Sequence, residues 1–400
     1  MIETQIKKIE SILFEKAEKM EIPTIHNDLG ALIFEATLYR YTNEDIYKQK
    51  ALKLLKTLTQ VFGERNLGSG FFEGFEGIFY VIQYLMKCNI IEDEKILEGL
   101  EEYLLQSLSI DFKTNHFDPM HGSIGKLLYF INSKNQDKEK VNGLIDQFLN
   151  SLYEHRQETD QGIFWYDQNE DNKELVNLGM AHGLPGILAF LVRLKELGYK
   201  HEHIDTLIEG IIKSFICFKN ETKLLSQFPD YFSEDVHLRN MNSRLGWCYG
   251  DLGIANTLLY ASKILKRDDL KKEIQTLLNS IVLRRMSNSK LDHYEDYSFF
   301  DTGFCHGLSG ITYIFQKINN QLKNTTLDKR IDFWKKQLLE NLEKQLNIQG
   351  DIYLPWYRQN EDSSYTMDQV SVLNGLCGTG LVLLSLHYNQ YDWSDFFMLF

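Results

Sequence analysis

The chain is poor in proline and cysteine, carries no excess of positive charge and has no long apolar run. Five prolines in 400 residues leave few forced helix breaks. With 43% apolar and 13% aromatic residues, that points to a compact, helix-rich protein with a substantial core. Cys88, Cys217, Cys248, Cys305 and Cys377 are an odd, sparse set of five. They fit the reduced thiols of a cytoplasmic protein better than a disulfide framework. Lys and Arg number 43 against 56 Asp and Glu, a net charge of −13. That argues against nucleic acid as a partner, which needs basic patches, and is compatible with a cationic peptide ligand. No apolar run approaches the roughly 20 residues needed to span a bilayer. The N-terminus, Met1-Ile2-Glu3-Thr4-Gln5, lacks the basic and apolar segments of a signal peptide.

What is present is a repeat. Gly74-Phe75-Glu76-Gly77, Gly122-Ser123-Ile124-Gly125, Gly183-Leu184-Pro185-Gly186, Gly250-Asp251-Leu252-Gly253, Gly307-Leu308-Ser309-Gly310 and Gly375-Leu376-Cys377-Gly378 each run into an apolar stretch. A degenerate first copy, Asn27-Asp28-Leu29-Gly30, lacks the first glycine. The second glycines stand at 30, 77, 125, 186, 253, 310 and 378, so successive units are 47 to 68 residues apart. A unit of that size has room for two helices and their loops. Between the motifs lie charge-rich segments such as 268–286 and 326–346. The latter places Ile331, Trp334, Leu338, Leu339 and Leu342 at the spacing of a helix packed on one face. Each unit therefore reads as an apolar inner helix followed by an amphipathic outer one. Helix pairs that cannot bury their apolar faces alone must stack on neighbours. The expected fold is all-α, an α/α toroid of seven helical hairpins in a single domain over residues 1–400. Segments 164–167, 217–240 and 352–357 read as rim loops or short hairpins.

The two residues before each first glycine carry the chemistry. They are Phe72-Glu73, Met120-His121, Ala181-His182, Cys248-Tyr249, Cys305-His306 and Leu373-Asn374. In a ring these pairs gather at one end of the inner helices. Cys248 lies in Gly246-Trp247-Cys248-Tyr249-Gly250, and Phe304-Cys305-His306-Gly307 belongs to the adjacent unit. Two thiols and an imidazole suit zinc and leave its fourth position open, the mark of a catalytic rather than a structural site. The competing reading, two small buried cysteines, is weakened by their equivalent slots. Cys377 sits inside its Gly-x-x-Gly turn and reads as packing, with a fourth zinc ligand as the alternative. Cys88 and Cys217 have no such context and read as structural. His182 is a candidate general acid or base, or a hydrogen-bonded rim residue. Asp118 either orients His182 and raises its pKa or caps a helix start. Arg244 stabilises a developing oxyanion or pairs with an acid. Tyr249 donates a hydrogen bond in the pocket or supports its loop. His121 lies close by without an assigned role.

With these motifs the chain resembles the lanthionine synthetase C family, the cyclases of class I lanthipeptide biosynthesis. The most specific matches are Trp247-Cys248-Tyr249-Gly250, Cys305-His306-Gly307 and His182-Gly183-Leu184-Pro185-Gly186. The resemblance implies a zinc-bearing α/α toroid with Cys248, Cys305 and His306 as ligands and Asp118, His182, Arg244 and Tyr249 as cleft residues. Some members carry a small β-rich extension, which this sequence does not place. The resemblance further implies addition of peptide cysteine thiols to dehydroalanine or dehydrobutyrine, forming thioether rings. A separate dehydratase would prepare the precursor peptide, and an exporter and peripheral association with a membrane complex are expected company. Two rival readings are an enzyme adding another thiol, such as glutathione, to dehydroamino acids, and a non-enzymatic peptide-binding scaffold. No nucleotide-binding fingerprint is present.

Overall fold

In the computed structural model of the chain, the glycine motifs open onto α-helices that are buried nearly all round. Residues 63–66, 94, 98, 134–135, 169–173, 221–223, 349–352, 356–363 and 367–369 are outside the described residues, and of 95, 353–355 and 364–366 only the backbone is described. Among the described residues the α-helices are α1 (Ile2–Ala17), α2 (Leu29–Thr42), α3 (Asp45–Val61), α4 (Glu76–Lys87), α5 (Glu101–Thr114), α6 (Ser123–Asn132), α7 (Lys138–Glu154), α8 (Leu184–Glu196), α9 (Ile204–Cys217), α10 (Asp251–Leu265), α11 (Lys271–Ile281), α12 (Leu308–Leu322), α13 (Thr325–Leu346) and α14 (Leu376–Tyr388).

Burial alternates along this series. The even-numbered helices hold the motif glycines in their first turn, and α8 is buried from Leu184 through Val192 without a break. The odd-numbered ones bury one stripe, as α1 does with Ile6, Ile9, Leu13 and Ala17. In α13 the stripe is Leu327, Ile331, Trp334, Leu338 and Leu342, each large apolar side chain contributing about 1.5–3 kcal/mol relative to exposure. Helix ends follow local chemistry. Asn43, Asn115 and Asn389 close α2, α5 and α14 in the left-handed conformation that Asn tolerates better than most residues. The Asp137 and Asn324 side chains accept from Glu139 N and Thr326 N to start α7 and α13.

The first motif glycine is the N-cap of α6, α8, α10, α12 and α14. Close approach explains glycine at both motif positions, first at Gly250 and second at Gly310. A Cβ on Gly250, which also has φ +97°, would overlap the carbonyl oxygen of Arg244 six residues earlier, and one on Gly310 would overlap that of Phe304. The preceding residues thus fold back tightly on the helix start, leaving the pair before the first glycine at the apex of the turn. The degenerate first copy uses another device: Asp28 Oδ2 accepts from Glu21 N and Ile22 N at 2.7 and 2.6 Å. Gly310→Ala is expected to destabilise the protein by at least about 1–3 kcal/mol through overpacking against backbone. Gly143→Ala in α7, where a Cβ meets nothing within 4 Å, should stabilise by up to about 1 kcal/mol. Urea unfolding of the two variants checks both signs.

The chain divides into two compact units. The first comprises Met1–Leu67, Tyr84–Asp93 and Met286–Tyr391. Within it α1 packs on α2, α13 and α14, α2 on α3 and α14, and α12 on α13 and α14. The second comprises Gly68–Gln83, Glu94–Arg285 and Asp392–Phe400. There α5, α6 and α7 pack together, and α8 lies on α9 and α10, with α11 against α10. Its aromatic centre is closed by the last residues of the sequence. The Trp247 indole donates to Phe397 O at 2.9 Å, and Phe396 and Phe397 pack on Phe72.

Strands are short and paired two by two, all antiparallel: β1 (Gln157–Thr159) with β2 (Gly162–Phe164), β3 (Val176–Asn177) with β4 (Tyr231–Phe232), β5 (His293–Tyr294) with β6 (Phe299–Phe300), and β7 (Tyr353–Pro355) with β8 (Ser364–Thr366). Of the expected 164–167 segment only Phe164 lies in a strand, β2, which pairs with β1, and the 217–240 segment supplies β4. Part of the expected 352–357 segment is β7, while Ile352, Trp356 and Tyr357 lie outside the described residues. The pair β5–β6 had no sequence signal. Among the described residues these pairs do not merge into one sheet.

Candidate active site

In the second unit, the turns before α6, α8 and α10 pack in series. A Cβ on Gly186 would stand 2.6 Å from Pro119, and one on Gly179 would overlap Cys248 O and meet the Tyr249 ring at 2.8 Å. This close stacking brings the side chains of three consecutive repeats to one place.

Asp118 and His182 meet there. His182 Nδ1 lies 2.7 Å from Asp118 Oδ2. The other carboxylate oxygen accepts from Met120 N and His121 N at 2.7 and 2.9 Å. One Asp118 oxygen thus holds the turn ahead of α6, whose N-cap is Gly122 with no side-chain cap, and the other faces the His182 imidazole. Since Nδ1 is occupied, Nε2 is the nitrogen left to exchange a proton. Burial pulls the His182 imidazole down, but the Asp118 hydrogen bond and charge, with smaller contributions from Asp167 and Cys248, raise it above its ordinary 6.5. For Asp118, burial pushes upward and His182 outweighs it, so the carboxyl stays below its usual 3.8. His121 stacks on His182 at 5.3 Å between ring centroids. Burial holds it below the ordinary histidine value, against the opposing pull of Asp118. A cavity of about 50 Å³ borders His182, with Asp118, Trp165, Asp167 and Asn177 in its wall. It has room for water rather than for a peptide.

Cys248 is buried at the apex of the turn before α10. Tyr249 beside it is half-buried, its hydroxyl 2.7 Å from that of Tyr231 and 3.3 Å from Asn177 Nδ2. Burial, reinforced by Tyr231, raises its pKa far above the ordinary tyrosine value, so it stays a phenol and a hydrogen-bond donor. Arg244 is half-buried in the same turn, its carbonyl against Gly250.

In the first unit, the turn before α12 presents Cys305 and His306. The backbone N–H groups of Phe304 and Cys305 both donate to Leu373 O, at 2.7 and 2.8 Å. That fixes the turn without using the thiol. His306 Nε2 faces two carboxylates, Asp292 Oδ2 at 3.4 Å and Asp301 Oδ2 at 3.5 Å. Cys377, at the start of α14, is fully buried, and its sulfur lies against Gly30 of α2. Cys88 is buried and Cys217 exposed, and all five cysteines are free thiols.

Side chains of a kind that could hold a metal ion thus occur in both units, Cys248 in the second and Cys305 and His306 in the first. Two soft thiolates and an imidazole are the donor set zinc prefers, so the chemistry of the residues fits that ion. Sequence reasoning missed Asn177, Tyr231, Asp292 and Asp301. Asn177 and Asp301 each stand six residues before the first glycine of a motif. Extending the comparison of repeats by four positions would have exposed both.

The family described as lanthionine synthetase C-like protein matches residues 24–399. The nisin biosynthesis protein NisC of Lactococcus lactis subsp. lactis is 25% identical over 403 residues, covering 93% of this chain and 87% of that protein. The solved structure of nisin cyclase superposes with a TM-score of 0.76 at 22% identity, over 100% of this chain and 98% of that one. An unsaturated glucuronyl hydrolase from Bacillus sp. GL1 reaches a TM-score of 0.51 at 14% identity, over 98% and 99% of the two chains. The fold is the all-α, α/α toroid of nisin cyclase, and the chain belongs to the lanthionine synthetase C-like family.

Proposed function

We propose that the protein is a zinc-dependent lanthipeptide cyclase. It adds cysteine thiols of a dehydrated precursor peptide to dehydroalanine or dehydrobutyrine, forming lanthionine and methyllanthionine rings. The observation that carries this reading is the hydrogen-bonded Asp118–His182 pair in the same unit as Cys248, in a chain matched to the family over 24–399. That single match also supports treating residues 1–400 as one functional domain.

Cys248, Cys305 and His306 would hold the zinc. When bound, zinc lowers the pKa of a substrate thiol so that it is ionised near neutral pH. The remaining chemistry belongs to the side chains. As the sulfur–carbon bond forms at the β-carbon, the alkene electrons move toward the carbonyl, and the α-carbon must then gain a proton. His182, whose protonated form Asp118 favours, supplies it from Nε2. Asp118 keeps Nδ1–H directed at itself and steadies the cation. Tyr249, as a neutral phenol, and Arg244 would donate to the developing enolate oxygen.

The direct test combines metal analysis with cyclisation of a dehydrated peptide. We expect about one zinc per chain, unchanged peptide mass and loss of alkylatable thiols. A gain in mass by added glutathione would favour the rival thiol-adding enzyme, and wild-type protein without zinc would sink the mechanism. We place this activity in the cytoplasm, peripherally associated with a membrane complex of a separate dehydratase and an exporter. Co-purification that never recovers a dehydratase counts against that assembly.

A further inference from the structure

His306 would bind metal through one ring nitrogen, and its neighbours decide which. In a neutral imidazole one nitrogen carries the proton and the other the lone pair, and the hydrogen bond made by the first fixes the choice. We propose that Asp301 is a positioning residue for the metal centre: its carboxylate holds the His306 Nε2–H, leaving Nδ1 as the metal-facing nitrogen. This rests on the reading of His306 as a metal ligand.

Asp301 is built to hold still. It is 1% exposed. Its N–H donates to Asp292 O and its own carbonyl accepts from Leu308 N, both at 2.9 Å. Its Oδ1 accepts from Gly303 N at 2.8 Å. With backbone and one oxygen anchored, Oδ2 is held 3.5 Å from His306 Nε2, a gap that a small rotation of the ring closes to a hydrogen bond. Asp292 lies at a similar distance, but its side chain is 49% exposed, so water competes for it.

A second repeat shows what the charge is for. Asn177 occupies the same slot, six residues before its glycine, and its Oδ1 accepts from Gly179 N at 2.8 Å, as Asp301 does from Gly303. Capping the turn therefore does not require an acid. The difference lies in the other arm. Asn177 Nδ2 donates to Asp167 Oδ2 at 2.7 Å and to the Tyr249 hydroxyl at 3.3 Å. Facing acceptors, that slot carries a donor; facing an imidazole N–H, the Asp301 slot carries an acceptor. Carboxylates behind metal-binding histidines orient the ring in just this manner, and their loss typically weakens metal binding about 10–100-fold.

Asp301→Asn is the discriminating variant. Its Oδ1 can still cap the turn as Asn177 does, but its Nδ2 would now require His306 Nε2 to accept, moving the proton to Nδ1 and removing the metal-binding lone pair. Zinc affinity, measured by competition with a chromophoric chelator, should fall about 10–100-fold, while the thermal unfolding of the metal-free protein stays near wild type. Asp292→Asn should weaken binding much less. Selective ¹⁵N-histidine NMR of metal-free wild type should report the Nε2–H tautomer at His306. An Nδ1–H tautomer there, or wild-type zinc affinity in Asp301→Asn, overturns the proposal alone. Wild-type protein that binds no zinc overturns the ligand reading and this proposal with it.

Discussion

Cys305→Ala protein is expected to lose its zinc, about one ion per chain in wild type, and to cyclise a dehydrated peptide at least about a thousandfold more slowly. The magnitude follows from two losses. Without the metal, a substrate thiol keeps a pKa of about 8.5, so only about 3% is thiolate at pH 7. That alone costs roughly 30-fold in reactive species. Loss of a fixed position for the sulfur removes the advantage of an oriented, effectively unimolecular attack, which commonly exceeds another factor of about 100. The fold should survive, because the backbone N–H of Cys305, not its thiol, bonds Leu373 O. Metal analysis, a thiol-alkylation assay and a thermal melt on the same preparation separate these effects. Cys217→Ala, at an exposed position on α9, should change none of them. A Cys305→Ala protein with its zinc and rate intact would remove Cys305 from the ligand set.

The parts of this architecture legible in the sequence are those with a local physical signature. Gly250 and Gly310 mark places where backbone must pass against backbone six residues earlier, and no other residue type does that without strain. The stripe Ile331, Trp334, Leu338 and Leu342 marks a helix with one buried face. The pair before each glycine was readable because the repeat places every such pair at a turn apex. The same logic led to His182; Asp118, four residues before Gly122, lies outside those pairs, 64 residues from His182 in sequence and 2.7 Å away in space.

Long-range partners without periodicity were not legible. Trp247 stood out in its motif, yet nothing near it announced that the carbonyl of Phe397, 150 residues on, would accept a hydrogen bond from its indole N–H. Strands β3 and β4 are two residues each, too short for alternation to register, so the approach of Tyr231 to Tyr249 was hidden. Asn177 and Asp301 escaped for a different reason. Their function depends on which arm of the side chain faces which partner, and sequence shows residue types without directions.

His182→Ala should retain zinc and lose about 10²–10⁴-fold in cyclisation rate, the usual contribution of a positioned general acid. The pH profile carries the sharper test. An acid must be protonated to act, so the rate should fall as pH rises through the His182 pKa, which Asp118 holds above 6.5 despite burial. In Asp118→Asn the hydrogen bond and charge that raise the imidazole are gone while burial, which lowers it, remains. The alkaline limb should therefore move to lower pH, and in His182→Ala it should disappear. Stability follows with the same signs. The raised His182 stabilises fully below its unfolded value and less as pH rises through the folded one. The lowered Asp118 stabilises above its unfolded value and less as pH falls through the folded one. The pair thus contributes most between about pH 3.8 and 6.5, the ordinary values of the two groups, and a wild-type minus Asp118→Asn stability difference should peak in that window. An alkaline limb that stays in place in Asp118→Asn would assign the proton to a group other than His182.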